Sequence, residues 1–200
     1  MQRTRREYAA RHSAYGWSWR SARLSLYTLH GLNRLAAHEH AWLERLNGVR
    51  LPDWEVALLR RVSRLGDGVF WYGLMLALIA WHGWEALPAV LHMTVAGLAG
   101  TLIYKGLKGA TERPRPYQVC PTICCLTAPL DRFSFPSGHT LHAVVFSLVA
   151  TAYYPALGWL VWPFTALVAL SRLVLGLHYV SDVLVGALLG AAVAGFTLAL

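Results

Sequence analysis

Three short polar motifs of this sequence gather the residue types that bind and transfer phosphate. Residues 108–116, 136–139 and 171–182 contain Lys108, Arg115, Ser137, Gly138, His139, Arg172, His178 and Asp182. Lysine and arginine are cations at neutral pH, and the guanidinium fork of arginine matches two oxygens of a phosphate. Because three such cations in one site need an anion to neutralise them, the motifs indicate a phosphate site.

The two histidines add a nucleophile and an acid to these cations. His178 and Asp182 are four residues apart, and they share one helix face if the last helix begins early. A carboxylate bonded to one ring nitrogen fixes the imidazole tautomer and leaves the other nitrogen as a nucleophile or base. His139 can then protonate the leaving oxygen as a general acid. The arrangement predicts phosphoryl transfer through a phosphohistidine.

The segment Ser137-Gly138-His139 is predicted to begin a helix. The free N–H groups and the dipole at a helix N-terminus favour an anion. Gly138 has no Cβ, so the backbone can approach a phosphate closely at this point. These three residues therefore extend the predicted phosphate site.

The motifs Lys-x6-Arg-Pro, Pro-Ser-Gly-His and Ser-Arg-x5-His-x3-Asp, in this order, resemble those of the type 2 phosphatidic acid phosphatase (PAP2) superfamily. That superfamily also contains vanadium haloperoxidases and bacterial acid phosphatases. The resemblance covers residues 66–200 and implies that no metal or cofactor is needed. It implies a phosphate held by Lys108, Arg115, Ser137, Gly138, His139 and Arg172. It further implies His178 as the nucleophile, Asp182 as its partner and His139 as the acid.

Composition places these motifs in a membrane protein. Apolar residues make up 56% of the 200 residues and charged residues only 14%, and long stretches carry no charge. The uncharged stretches are 69–84, 86–104, 133–171 and 183–200, and the third is long enough for two helices with a break near 155–158. The sequence therefore predicts an all-α, multi-pass transmembrane helix bundle of about five spans.

The net charge of +8 would suggest nucleic acid as a partner if the protein were soluble. Beside the apolar stretches it instead favours the lipid bilayer, through anionic head groups, and a phosphorylated lipid. We therefore expect a lipid substrate and no nucleic acid.

Residues 1–65 are interpreted as an Arg-rich N-terminal region, and residues 66–200 as the transmembrane catalytic domain. Four charges interrupt the run 24–46, namely Arg34, Glu39, Glu44 and Arg45. Each charge at the centre of a bilayer costs about 2.5–3.5 kcal/mol on insertion scales. We therefore expect one or two amphipathic helices lying on the membrane surface.

The order of spans places all three motifs at one membrane face. The turns at the opposite face are expected to be rich in aromatic side chains that prefer the interface, namely Trp81, Trp84, Tyr153, Tyr154, Trp159 and Trp162. In the last span, Gly186 and Gly190 form a small-xxx-small pair, which predicts a close helix contact.

Other polar residues are expected to stay outside the chemistry. Lys105 is predicted to reach from a helix end towards the membrane surface. His82 and His92 are predicted to pack between helices, whereas His142 either lines the pocket or faces another helix, with the second preferred. The loop residues Asp131 and Arg132 either gate entry to the site or lie in solvent. The three cysteines are predicted to be free thiols rather than a zinc site, with a disulfide from Cys120 to Cys124 or Cys125 as the alternative.

The predicted function is hydrolysis of a lipid phosphate, with phosphatidate, phosphatidylglycerophosphate and a polyprenyl diphosphate as candidate substrates. A lipid phosphotransferase would use the same phosphohistidine. A non-catalytic membrane protein of the same fold would be expected to have lost His139, His178 or Asp182, and none is lost. The spanning stretches argue against a vanadate-dependent peroxidase.

Charge also suggests an orientation in the bacterial inner membrane. Twelve arginines precede residue 65, whereas the turns 84–88 and 154–159 contain no lysine or arginine. By the positive-inside rule, the motif face is predicted to be cytoplasmic.

Overall fold

The computed structural model describes residues 39–48 and 51–200, and the expectations for residues 1–38 lie outside them. Within the described residues the fold contains eight α-helices and no strand. They are α1 (39–48), α2 (Asp53–Arg64), α3 (Phe70–His82), α4 (Leu87–Thr111), α5 (Pro116–Val119), α6 (Gly138–Tyr153), α7 (Gly158–Val174) and α8 (Val180–Leu198). The predicted all-α fold is confirmed.

Five of these helices, α3, α4, α6, α7 and α8, follow the predicted spans in order. Three stretches of the described residues are long and apolar enough to cross a membrane: Asp53–Val119, Pro155–Val174 and Val180–Leu198. The first of these contains both α3 and α4. The chain is therefore a multi-pass membrane bundle, as predicted.

Two helix boundaries differ from those predicted. α4 continues to Thr111, whereas a polar loop was expected from Lys105 onwards, so Lys108 lies on the last turn of this helix. α8 begins at Val180 rather than at residue 183. Each helix was predicted to end or begin next to a charged residue. A helix can continue past a charged side chain when that side chain has a partner.

The aromatic turns lie together at one end of the bundle. α3 and α4 are joined by the short turn Gly83–Ala86, in which Gly83 has φ 58° and so takes a conformation that glycine adopts readily. The ring of His82 stacks on that of Tyr154 with centroids 4.8 Å apart. Nδ1 of His92 lies 3.2 Å from the hydroxyl of Tyr153. These contacts agree with the predicted helix-packing role of both histidines.

Helix α6 lies at the centre of the bundle and packs against α4, α7 and α8. Its side chains are buried on almost every face, and Leu141, Val145 and Val149 are fully enclosed. Because its first residues belong to the Pro-Ser-Gly-His motif, this rigid core helix fixes the position of the predicted phosphate site.

The backbones of α6 and α8 approach each other closely in the core. A Cβ added to Gly186 would lie 2.6 Å from the carbonyl oxygen of Ser137, and one added to Gly190 would lie 2.6 Å from that of Leu141. Only glycine permits backbones to approach this closely. The close contact predicted from the small-xxx-small pair is confirmed.

The variant Gly190→Ala is therefore expected to destabilise the protein by about 1–3 kcal/mol, because the added methyl group meets backbone that cannot move aside. The apparent Tm in detergent should fall by about 2–4 °C for each kcal/mol. Gly195→Ala on the same helix is the matched control, since a Cβ there meets nothing within 4 Å. An equal Tm for the two variants would contradict the packing argument.

Helices α1 and α2 pack over the loops that carry the motifs. Asn47 donates from Nδ2 to the carbonyl oxygens of Cys124 and Val174, both at 2.9 Å. On α2, the apolar side chains Val56 and Leu59 pack against Leu175 and Leu177, and residues on the opposite face are exposed. These segments of the N-terminal region thus contact the end of α7 directly.

Candidate active site

The three polar motifs line one cavity of about 650 Å³. It lies where α4 ends, α6 begins and α7 ends. Five predicted site residues line it together with Gly138: Lys108, Arg115, His139, Arg172 and His178. Ser137 and Asp182 are fully buried beside it. The structure therefore brings together all eight residues that the sequence singled out.

Lys108 and Arg115 share a carboxylate in this structure. Nζ of Lys108 donates to both oxygens of Asp131, at 2.8 and 2.7 Å, and to the carbonyl oxygen of Phe133 at 3.0 Å. Nη2 of Arg115 donates to Oδ1 of Asp131 at 2.7 Å. For Asp131 the sequence allowed either a gating residue or a solvated loop residue. In the structure it supplies the negative charge that these two cations need.

A second set of contacts joins Arg115 to the predicted nucleophile. Its Nη1 donates to the carbonyl oxygen of Leu177 at 2.7 Å and lies 3.4 Å from Nε2 of His178. Because a guanidinium can only donate, the nitrogen that faces it must carry a lone pair. The contact therefore indicates the tautomer of His178 in which Nε2 is free to attack.

The carboxylate of Asp182 lies beside the other nitrogen of this ring. Nδ1 of His178 is 3.5 Å from Oδ2 of Asp182. The two residues do not share a helix face, because α8 begins at Val180, after His178. Asp182 instead caps the first turn of α8 by accepting from the backbone N–H of Tyr179 at 2.8 Å, and this cap brings the carboxylate towards His178.

Ser137 and Gly138 shape the start of α6. The hydroxyl of Ser137 caps the helix, accepting from the N–H of Thr140 at 3.5 Å, and its own backbone N–H donates to the carbonyl oxygen of Asp182 at 3.0 Å. A Cβ at Gly138 would lie 3.3 Å from the ring of Tyr104. The predicted helix start is present, and its backbone is tied directly to the start of α8.

His139 and Arg172 complete the cavity, and each meets a residue from the chain before α3. Nη1 of Arg172 donates to the hydroxyl of Ser63, and Nε2 of His139 is in direct contact with Oδ1 of Asp67. Both Arg172 and His139 are almost completely buried.

Comparison with known proteins identifies the family of this chain. The family model of the PAP2 superfamily matches residues 85–200, more than half of the chain. The chain belongs to the PAP2 superfamily. It is 32% identical over 123 residues to the undecaprenyl-diphosphatase BcrC of Bacillus subtilis (strain 168). That match covers 62% of this chain and 63% of BcrC, so the chain spans less than two thirds of this relative.

Two solved structures share the fold of this PAP2 chain. LpxE of Aquifex aeolicus superposes with a TM-score of 0.70 at 24% identity, over 80% of this chain and 94% of that one. A PAP2-type phosphatidylglycerolphosphate phosphatase of Bacillus subtilis superposes with a TM-score of 0.62 at 26% identity, over 86% and 92% of the two chains.

Sequence reasoning missed an arginine in this PAP2 site. Arg113 donates from Nη1 to Oδ1 of Asp182 at 2.6 Å and from Nη2 to Oε2 of Glu39 at 3.0 Å. Its guanidinium also lies over the ring of Tyr179, 3.9 Å from the centroid. It therefore holds the carboxylate that faces His178. The signal for Arg113 in the sequence is Arg-Pro-Arg in the first motif, of which only the second arginine, Arg115, is among the predicted site residues.

Ser63 and Asp67 were also missed, because they precede the recognised motifs. They stand one helical turn apart, at the end of α2 and in the turn Leu65–Val69. The available signal was an acid between two glycines, Gly66-Asp67-Gly68, at the start of an apolar run. A charge placed there needs a partner, and a cluster of cations and histidines provides one.

The remaining polar candidates have structural partners. Nδ1 of His142 lies 2.9 Å from the carbonyl oxygen of Gly138, and Nε2 lies 3.0 Å from Oγ1 of Thr101 on α4. His142 thus both faces another helix and lines the cavity, so the two alternatives for it hold together. Lys105 is exposed at the mouth of the cavity. The three cysteines are free thiols in this structure.

The cavity of this PAP2 chain extends beyond the polar site into a groove between α3 and α4, which we call the apolar groove. Its walls and floor consist mainly of apolar and aromatic side chains: Trp71, Tyr72, Met75, Leu98, Tyr104 and Phe146. Tyr72 and Leu98 are exposed on the outside of the bundle. The groove therefore connects the polar site with the lipid-facing surface.

Burial, together with the cations Arg115, Arg172 and Lys108, holds the pKa of His178 well below its ordinary value of about 6.5. As the pH falls below about 6.5 the unfolded chain binds a proton at this residue and the folded protein does not, so stability is lost. We expect the apparent Tm to fall less between about pH 7.5 and pH 5 in His178→Gln than in the wild type. Parallel Tm curves would contradict the lowered pKa.

Proposed function

We propose that this protein is a membrane phosphatase that removes phosphate from a lipid through a phosphohistidine on His178. The observation that carries the proposal is a single cavity: cations and two histidines line one part of it, and the apolar groove forms the other part. The cations suit a phosphate, the histidines suit its transfer, and the groove suits a hydrocarbon chain.

In the proposed first step, Nε2 of His178 attacks the phosphorus and the bond from phosphorus to the lipid oxygen breaks. The proton of His139 moves to that oxygen, so the lipid leaves as a neutral alcohol or as a lipid monophosphate. Arg115, Arg172 and Lys108 stabilise the charge on the remaining phosphate oxygens.

In the second step, a water molecule gives its proton to His139 and its oxygen attacks the phosphohistidine, which releases inorganic phosphate and restores His178. The carboxylate of Asp182, 3.5 Å from Nδ1, stabilises the positive charge that develops on the ring. A lipid or sugar alcohol in place of water would make the protein a phosphotransferase, which is the second candidate.

The substrate class is proposed from both the groove and the relatives. The names of the relatives include an undecaprenyl-diphosphatase and a phosphatidylglycerolphosphate phosphatase, both of which concern phosphate on a lipid. We propose the same class here, with phosphatidate, phosphatidylglycerophosphate and a polyprenyl diphosphate as the members to compare.

The deciding experiment incubates the purified protein in detergent with each of these three lipids, with a chelator present. Release of inorganic phosphate from at least one lipid is expected, and chromatography of the lipid products separates hydrolysis from transfer to an added alcohol. No release from any of them would refute the function, and activity that disappears with chelator would refute metal independence.

We further propose that the active site faces the cytoplasm from a bacterial inner membrane. The supporting observation is that the turns at the opposite end contain no lysine or arginine. Cysteines introduced at Glu85 and Ala156, both exposed there, should react with an impermeant maleimide in intact cells. The natural cysteines are the internal control, because they should react only after permeabilisation. The reverse pattern would refute this orientation.

A further inference from the structure

The turn Leu65–Val69 interrupts an otherwise continuous helical run from α2 to α3. Gly68 has φ 132° within it, a conformation that L side chains rarely adopt, and the helix changes direction there. A Cβ on Gly66 would lie 3.0 Å from the side chain of Val168 on α7.

The interruption places Asp67 in the active-site cavity. Asp67 and His139 both line it, and Oδ1 of Asp67 is in direct contact with Nε2 of His139. One helical turn earlier, Ser63 accepts a hydrogen bond from Arg172. The end of α2 and the turn therefore hold two residues of the site at once, from a part of the chain that precedes every recognised motif.

Apart from Asp67, most charged groups around His139 are cations. The ionisable groups near it are Lys108, Arg115, Arg172, His142 and His178, and Asp131 bridges the first two of these. Cations disfavour the protonated imidazole that an acid catalyst needs, whereas an adjacent carboxylate favours it. Asp67 is the carboxylate in direct contact with this ring.

We propose that Asp67 is a positioning residue for the acid step: it accepts a hydrogen bond from Nε2–H of His139, which orients the ring and favours the protonated form that donates from Nδ1 to the leaving oxygen. The inference rests on the proposed function and extends it. Each histidine of the site then has its own carboxylate: Asp182 for His178 and Asp67 for His139. In the step itself the proton passes from Nδ1 of His139 to the lipid oxygen as the bond from phosphorus to that oxygen breaks, while Nε2–H stays on Asp67.

The role of this proton can be tested with two substrates whose leaving groups differ in their need for it. An alkoxide leaves poorly without one, whereas p-nitrophenolate is stable and leaves unaided. In Asp67→Asn, we expect kcat/KM, which reports only the steps up to departure of the leaving group, to fall by about 10–100-fold for dioctanoyl phosphatidate and by no more than a few-fold for p-nitrophenyl phosphate. His139→Ala should show the same dependence on the leaving group, with a larger loss on the phosphatidate.

Two comparisons separate positioning from a merely structural role. Asp131→Asn alters the phosphate cradle and should change both substrates alike, because Asp131 contacts Lys108 and Arg115 rather than the acid. Adding Asp67→Asn to His139→Ala should cause no further loss on the phosphatidate, since the two residues act as one unit. If Asp67→Asn does not fold, Asp67→Ser carries the same test.

Equal losses on both substrates, or a further loss in the double variant, would overturn the role of Asp67 alone. Failure of the wild type to release phosphate from either substrate would overturn the proposed function, and this role with it.

Discussion

Replacing His178 by alanine is expected to abolish phosphate release from a lipid substrate, with a loss on the order of 10⁴-fold or more. The reason is that Nε2 of this buried ring forms the proposed bond to phosphorus, and the substitution removes it. Wild-type protein denatured in detergent at alkaline pH, where the N–P bond survives, should carry phosphate on histidine, and the variant should not. Vanadate, which resembles the five-coordinate phosphoryl state, should inhibit the wild type.

The matched control is His92→Ala, which removes a histidine from the far end of α4, where it contacts Tyr153. Its activity should stay within a few-fold of the wild type. Phosphate release by His178→Ala at a comparable rate would exclude the nucleophile assignment. Wild-type activity without a trapped phosphoenzyme, and without inhibition by vanadate, would instead favour direct attack by water.

Replacing Arg172 by lysine is expected to lower kcat/KM by about 10²–10³-fold, although the formal charge is kept. Arg172 is buried, and its Nη1 is occupied by Ser63. Its Nε has no hydrogen-bond partner among the residues that the structure describes. A fork that is anchored at one arm can offer the remaining N–H groups to a phosphate, and a lysine ammonium cannot reproduce that geometry.

The reciprocal swap, Lys105→Arg, provides the control, because Lys105 is an exposed cation at the mouth of the same cavity. Its kcat/KM should remain within a few-fold of the wild type. If Arg172→Lys retained full kcat/KM with unchanged stability, the bidentate role of this arginine would be refuted. If only its Tm fell, Arg172 would be a structural residue that anchors α2.

Much of the site could be predicted because its residues stand in three short motifs on successive helices. Once alternation of spans placed the motifs at one face, residues as distant as Lys108 and His178 had to meet. The missed residues, Ser63, Asp67 and Arg113, lie outside the predicted site residues. Whether such side chains reach the site depends on the angles at which the helices pack, and no local sequence pattern contains those angles.

The fold was predictable for a related physical reason. Long uncharged runs allow few structures in lipid other than helices, so α3, α4, α6, α7 and α8 could be identified from composition and length. The residues at which these helices end could not be identified in this way. α4 continues through Lys108 because Asp131, from a loop 23 residues away, neutralises that charge. A boundary that depends on a distant partner is not visible in the run itself.

The ion pairs of Asp131 also affect how the site works. Hydrogen bonds to two carboxylate oxygens and one carbonyl use all three N–H groups of Lys108. A phosphate can therefore bind this lysine only by replacing a carboxylate, and the carboxylate returns when the phosphate leaves. Under the proposed mechanism Asp131 would compete with substrate and with product phosphate for Lys108, so the same displacement would weaken the binding of both. Weaker binding of the product would in turn favour its release.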